Sequence, residues 1–170
     1  MKAKAAKESL AIQTKVVLPH ETNSLGKLFG GALLAWMDEI AAVSAHRHAK
    51  RVVVTASINH VSFGEPIDLG AIVTLEAKVS RAYSSSMEVI IDVFVEDRIT
   101  GARHQSNQAI YTFVAVDQNG APIHVPELIP ETEEEHKRFL AALRRRQLAL
   151  VLAGKMKPDD ATELKSIFKI

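Results

Sequence analysis

The stretch "HETNSLGKLFGGALLAWMDEIAA", residues 20–42, runs from a polar loop into an apolar helix that carries two adjacent carboxylates, Asp38 and Glu39, at its middle. Pro, Asn, Ser and Gly gather in "PHETNSLGK", a loop composition. From Gly30 onward, Leu33, Leu34, Met37, Ile40, Ala41 and Ser44 recur at helical spacing and small residues fill the other sides, which predicts a helix buried nearly all round. Aspartate is rarely buried unless paired, and no Lys or Arg stands three or four positions from Asp38 on this helix. Glu39 points about 100° further round and fits a solvated or interface carboxylate.

Strand patterns surround the helix. "ESLAIQTKVVL" (8–18) precedes it; the β-branched "VVVTASINHVSF" (52–63) follows and ends in a turn marked by Gly64, Pro66 and Gly70. Ala71, Val73, Leu75, Ala77 and Val79 alternate with more polar residues, and Met87, Val89, Ile91, Val93 and Val95 repeat the pattern, as in a sheet with one wet face. "EDRITGAR" turns the chain into a last strand, 102–116, which "DQNG" ends. A charged helix capped by Thr132 is predicted to about Gly154, and a short one from about Pro158. One long helix followed by a mostly antiparallel sheet defines an α+β layout in which the sheet wraps the helix. An all-round apolar helix needs more cover than one small sheet provides, which predicts a dimer whose sheets join edge to edge and whose central helices meet.

The chain has 170 residues, no cysteine and a net charge of +1. That length suits one domain, and the charge balance argues against nucleic acid as a partner. Disulfides, thiolate metal sites and a cysteine nucleophile are excluded. The polar opening "MKAKAAKE" is no secretory leader and no apolar run approaches a bilayer's thickness, so a cytoplasmic protein with no membrane partner is expected. No GxSxG elbow, Walker lysine, GxGxxG or HExxH occurs. His46 and His48 are two apart and do not share a helix face, while His60 lies in a strand on the face opposite Val61 and Phe63, so no metal site is expected and His60 reads as a wall residue.

The stretches "TNSLGKLFGGALLAWMDEIAA", "VTASINHVSFGEPIDLG" and "SRAYSSSMEV", closed by "TFVAVDQNGAPIHVPELIPETEEE", together resemble the hotdog-fold acyl-CoA thioesterases, specifically the cytosolic acyl-CoA hydrolase group. The resemblance covers roughly residues 10–150. It implies a single hotdog domain over 1–130, with 131–170 as a helical extension packed on it, and hydrolysis of acyl-CoA to a free acid and CoA, CoA being part of substrate and product and no further cofactor being needed. It implies self-association as a dimer, and as a trimer of dimers.

The candidate residues follow. A carboxylate at Asp38 would activate water or attack the carbonyl itself, and the family's functional acid corresponds to it. Gly30 and Gly31 let the backbone approach a ligand at a helix start whose free N–H groups suit an oxyanion; plain packing is the other reading. Asn23 would hold water or the carbonyl, although a loop Asn ordinarily makes an Asx-turn; the family's matching Asn belongs to its site. Arg81 with Ser84, Ser85 and Ser86 would contact the CoA chain, and one or two of Arg144, Arg145 and Arg146 could face a phosphate. Leu34, Trp36 and Met37 would line the acyl seam. Two other classes stay open: a hotdog dehydratase pairing His60 with Asp38 or Glu39, against which the "TNSLGKLFGG" loop argues, and a non-catalytic acyl-CoA-binding sensor. An interfacial membrane role for "FLAALRRRQLALVLAG" is disfavoured because its arginines interrupt the apolar face.

Overall fold

The computed structural model describes residues 1–97 and 99–168, so Arg98 in the last predicted turn and the final two residues lie outside the described residues. The elements in order are β1 (Lys4–Ala5), β2 (Ala11–Val16), α1 (Gly30–Ala49), β3 (Val52–Phe63), β4 (Ile72–Ala82), β5 (Ser86–Glu96), β6 (Arg103–Val116), β7 (Leu128–Ile129), α2 (Glu133–Leu152) and α3 (Thr162–Phe168). The expected first strand is shorter at both ends. Ser9 donates from its hydroxyl to the Ala6 carbonyl and closes a 3-10 turn over Ala6–Ser9, so pairing begins only at Ala11. The short C-terminal helix likewise opens with a 3-10 turn at Pro158–Asp160.

Five strands form one antiparallel sheet in the order β2-β4-β5-β6-β3, wrapped around α1. The alternation read in the sequence sets the register of its inner face, where Met37 of α1 packs among Leu75, Met87, Ile91, Tyr111 and Phe113, all buried. The helix ends at Lys50, which takes the left-handed conformation (φ 54°) and donates its N–H to the His46 carbonyl. Irregularities between Thr55 and Ser57 and between Ile58 and His60 bend the edge strand β3.

Two expectations about exposure need correction. The outer face of the sheet is not wet along β4 and β5, because α2 lies across it. Thr132 caps α2 by accepting from the Glu135 N–H, while Glu135 accepts from the Thr132 N–H and from Lys78 Nζ at 2.8 Å. Further along the same helix face, Arg138 donates to Asp92 at 2.7 Å and Arg145 makes a two-pronged contact with Glu88 at 2.9 and 2.7 Å. Glu88 and Asp92, which alternation assigned to solvent, are thus buried and paired with arginines of α2.

The second correction concerns α1, which one copy of the chain does not cover all round. Gly31, Ala35, Glu39 and Val43, spaced at i+4, form a stripe open to solvent. Beside it β3 leaves an unpaired edge whose apolar side chains are also open: Val52 is 65% exposed, Val54 46%, Ile58 48% and Phe63 57%. A long apolar edge strand next to an open helix stripe is a surface that folding of one chain leaves unfinished.

Glu88→Gln keeps the shape of the side chain but removes the charge that balances Arg145 and accepts from Ser80. We expect it to lower the unfolding free energy by about 2 kcal/mol in urea titrations, since Arg145 retains partial access to water.

Candidate active site

The loop before α1 is built by Asn23. Its side-chain oxygen accepts from the N–H groups of Leu25 (2.9 Å) and Lys27 (3.2 Å), and its own N–H donates to the Lys27 carbonyl. Thr22 bridges to Leu28, and Phe29 donates its N–H to the Glu21 carbonyl, so the loop is closed at the mouth of the helix. Asn23 therefore makes the turn expected of a loop asparagine and keeps its Nδ2 amide without a partner among the described residues.

Gly30 opens α1. Phe29, at the cap position, offers no side-chain acceptor, which leaves the first N–H groups of the helix uncapped. Packing does not require glycine here: a Cβ on Gly31 would meet nothing within 4 Å, and one on Gly30 would make ordinary contact with the Phe63 ring at 3.6 Å. The glycines keep that end bare, beside a cleft of about 270 Å3 lined by Leu28, Leu33, Phe63, Ile67 and Asn107. Gly64, at its rim, is obligatory, since a Cβ there would stand 2.4 Å from the Ser106 carbonyl oxygen.

Asp38 is half-buried, two turns further along α1. Thr55 Oγ1 donates to its Oδ1 at 2.7 Å, and Oδ2 accepts no hydrogen bond among the described residues. Glu39, on the open stripe, is exposed. Thr55 reaches Asp38 because its register partner on β6 is Phe113, whose side chain faces the helix. Thr55 lies within the strand expected over 52–63 and is not among the candidate residues above; only its register with Phe113 reveals that it faces Asp38.

Arg81, Ser84, Ser85 and Ser86 are not brought to Asp38 within one chain. Ser86 starts β5 one residue before Met87, which stands in a row with Phe113 and Thr55 about 10 Å across the sheet, and Ser86 faces the other side. The Arg81 guanidinium donates to the Phe139 carbonyl at 3.0 Å and stacks on the Phe139 ring, so it fastens α2 to β4. Ser84 bonds His124 Nδ1 at 3.2 Å, Ser85 accepts through its carbonyl from the Ala115 N–H, and Ser86 accepts from Arg146, whose guanidinium lies over Tyr83 at 4.0 Å. The three consecutive arginines diverge: Arg145 meets Glu88, Arg146 meets Ser86, and Arg144 Nε is buried without a partner among the described residues. Burial pushes the Tyr83 phenol up to about 12. Of the residues expected to line an acyl seam, Trp36 and Met37 are buried core and Leu34 is half-buried. One apolar cleft lies at the start of the helix.

The described residues hold no cluster of three or more His, Asp or Glu side chains that would take a metal ion, and no helix of the described residues is long and apolar enough to cross a membrane. His60 pairs with Ile110 in register and so faces away from Asp38. His48, in the last turn of α1, is fully buried, and its Nε2–H donates to the Pro126 carbonyl at 2.7 Å.

A carboxylate with one free oxygen and a bare helix start beside an apolar cleft suit attack of water on an acyl carbonyl. Comparison with known proteins identifies the family. Residues 25–102 match the family model described as the thioesterase superfamily. The uncharacterized acyl-CoA thioester hydrolase YkhA of Bacillus subtilis is 44% identical over 82% of this chain and 81% of its own length. The chain belongs to the thioesterase superfamily. The cytosolic acyl coenzyme A thioester hydrolase of Rattus norvegicus is 34% identical over 73% of this chain, which spans only 33% of that longer protein. An acyl-CoA hydrolase from Staphylococcus aureus, solved with butyryl coenzyme A, coenzyme A and coenzyme A disulfide, superposes with a TM-score of 0.84 at 38% identity over 90% of this chain and 94% of that one. The same enzyme has been solved with an asparagine, an aspartate or a threonine replaced by alanine. An apo-hexameric acyl-CoA thioesterase superposes with a TM-score of 0.86 at 40% identity over 90% and 98%.

Burial holds the His48 ring below its usual range, with the Pro126 bond opposing and Lys4 adding to the shift. A depressed folded pKa means that the unfolded chain takes up the proton first, so the stability from neutral His48 is complete above about pH 6.5 and is lost as pH falls below it. Urea titrations should show a smaller loss between about pH 7.5 and pH 5 for His48→Gln than for the unaltered protein.

Proposed function

We propose that the protein hydrolyses acyl-CoA thioesters to a carboxylic acid and CoA, with Asp38 as the base that activates water. The observation that carries this reading is the asymmetric hold on Asp38: Thr55 occupies Oδ1 and leaves Oδ2 to accept a proton. Water attacks the thioester carbonyl carbon as its proton passes to Oδ2. The carbonyl electrons move to oxygen, and the resulting oxyanion is held by the bare N–H groups around Gly30 and Gly31, with Asn23 Nδ2 orienting the water or carbonyl. Collapse of the tetrahedral intermediate breaks the C–S bond, and the CoA thiolate takes up the proton. The replaced asparagine, aspartate and threonine of the Staphylococcus aureus enzyme are spaced along its chain as Asn23, Asp38 and Thr55 are here, which supports assigning these three to one site.

The two halves of this machinery lie on one helix, about 12 Å apart along its axis. They meet if the Gly30 end of one chain faces Asp38 of a second copy. The open α1 stripe and the unpaired edge of β3 supply the surface for such a dimer, and the hexameric relative supports a trimer of dimers. The CoA arm is assigned to the end of the β4–β5 hairpin, where Ser84, Ser85 and Ser86 lie beside Arg146. Arg81 braces that hairpin against α2. The acyl chain is assigned to the cleft of Leu28, Leu33, Phe63 and Ile67. The cytosolic rat relative supports a cytoplasmic location. A dehydratase pairing His60 with Asp38 of the same chain is disfavoured, because the sheet separates them.

Thiol release from saturated acyl-CoAs of increasing length tests the reaction and its substrate range together: release is expected, whereas stoichiometric binding without it makes the protein a sensor. Asp38→Asn should lower kcat by about 10²-fold or more with KM nearly unchanged. Near-normal turnover would remove Asp38 from the chemistry.

A further inference from the structure

Tyr111, on β6, is fully buried beneath α1, and its hydroxyl donates to the Leu34 carbonyl at 3.1 Å. Leu34 stands four residues before Asp38 in an unbroken helix, so the same carbonyl accepts the backbone N–H of Asp38. The phenol thus grips the peptide group on which the Asp38 turn rests. Its strand neighbour two residues on, Phe113, is the register partner of Thr55. The two contacts come from adjacent strands of one sheet: Thr55 fixes the carboxylate of Asp38, and Tyr111 fixes the backbone beneath it.

We propose that Tyr111 is a positioning residue for Asp38, its hydroxyl setting the height and rotation of the helical turn that presents the carboxylate to the water. This role rests on the reading of Asp38 as the base. Phenylalanine would fill the same apolar space without carrying a hydroxyl out of water, so the hydroxyl recovers its desolvation cost only through the bond to α1. That phenol is pushed up to about 12, by burial first and by the Asp38 charge second, and it therefore stays protonated and donating at ordinary assay pH. Because it stays neutral, it acts on Asp38 through geometry and not by moving a charge.

The test is a cycle of four proteins: unaltered, Tyr111→Phe, Asp38→Asn and the double variant, assayed by thiol release under saturating and limiting acyl-CoA. Tyr111→Phe should lower kcat about tenfold with KM within about twofold, the signature of a displaced base with substrate binding kept. Introduced into Asp38→Asn, the same substitution should change kcat by less than about twofold, since no base remains to be positioned. A loss of fold common to both backgrounds cancels in that comparison. An equal drop in both backgrounds, or an unchanged kcat for Tyr111→Phe alone, overturns the positioning role while leaving Asp38 in place. Near-normal turnover by Asp38→Asn alone overturns the reading of Asp38 instead, and the positioning role with it.

Discussion

An α-helix advances about 1.5 Å per residue and cannot fold back to bring its own turns together. Gly30 and Asp38 stand on one such helix, with the core side of α1 locked against five strands, so the bare N–H groups at its start stay about 12 Å from the carboxylate at its middle. Each half is chemically incomplete. The stripe of Gly31, Ala35, Glu39 and Val43 and the free edge of β3 are incomplete in the same sense, one lacking a packing partner and the other a strand. A second copy, turned about a two-fold axis, offers the same surfaces in the reverse sense, and the proposed dimer answers both deficits with one contact.

The scaffold behind the site is held by charge as much as by apolar packing. Three ion pairs join α2 to the outer face of the sheet: Glu135 of α2 with Lys78 of β4, and Arg138 and Arg145 of α2 with Asp92 and Glu88 of β5. These pairs fix α2 across β4 and β5, and Arg81 and Tyr83 add bonds to the Phe139 and Ala142 carbonyls. The end of the β4–β5 hairpin, where the CoA arm is assigned, is thereby fastened to α2. On the inner face, Thr55 and Tyr111 hold Asp38 from β3 and β6, so the orientation of the carboxylate is set by the same sheet that buries the helix.

The architecture was legible because its signals are local. Alternation at Met87, Val89, Ile91 and Val93 names an inner face, Thr132 names a helix start, and a polar loop ahead of Gly30 names the other. What stayed hidden depends on neighbours distant in sequence. Glu88 and Asp92 read as solvent-facing because nothing local reveals that α2 returns to cover them. The bond from Arg81 to the Phe139 carbonyl is equally unreadable locally, because that acceptor lies far along the chain. Thr55 is invisible beside its β-branched neighbours until the register with Phe113 turns it toward Asp38. The all-round burial expected of α1 differs for another reason: apolar composition does not say which chain covers a helix, and one chain covers only part of this one.

The claim that one site draws on two chains is tested most directly by complementation between inactive variants. Asn23→Ala and Asp38→Ala are each nearly inactive alone under this scheme. Co-expressed with separate affinity tags and purified for assembly, they pair at random, and about half the dimers are mixed. In a mixed dimer one site carries both substitutions and the other carries neither, so about a quarter of all sites, and about a quarter of the unaltered activity, should return. Proven mixed dimers with no activity above that of the separate variants would contradict a shared site and leave the mid-helix position of Asp38 without a physical reason.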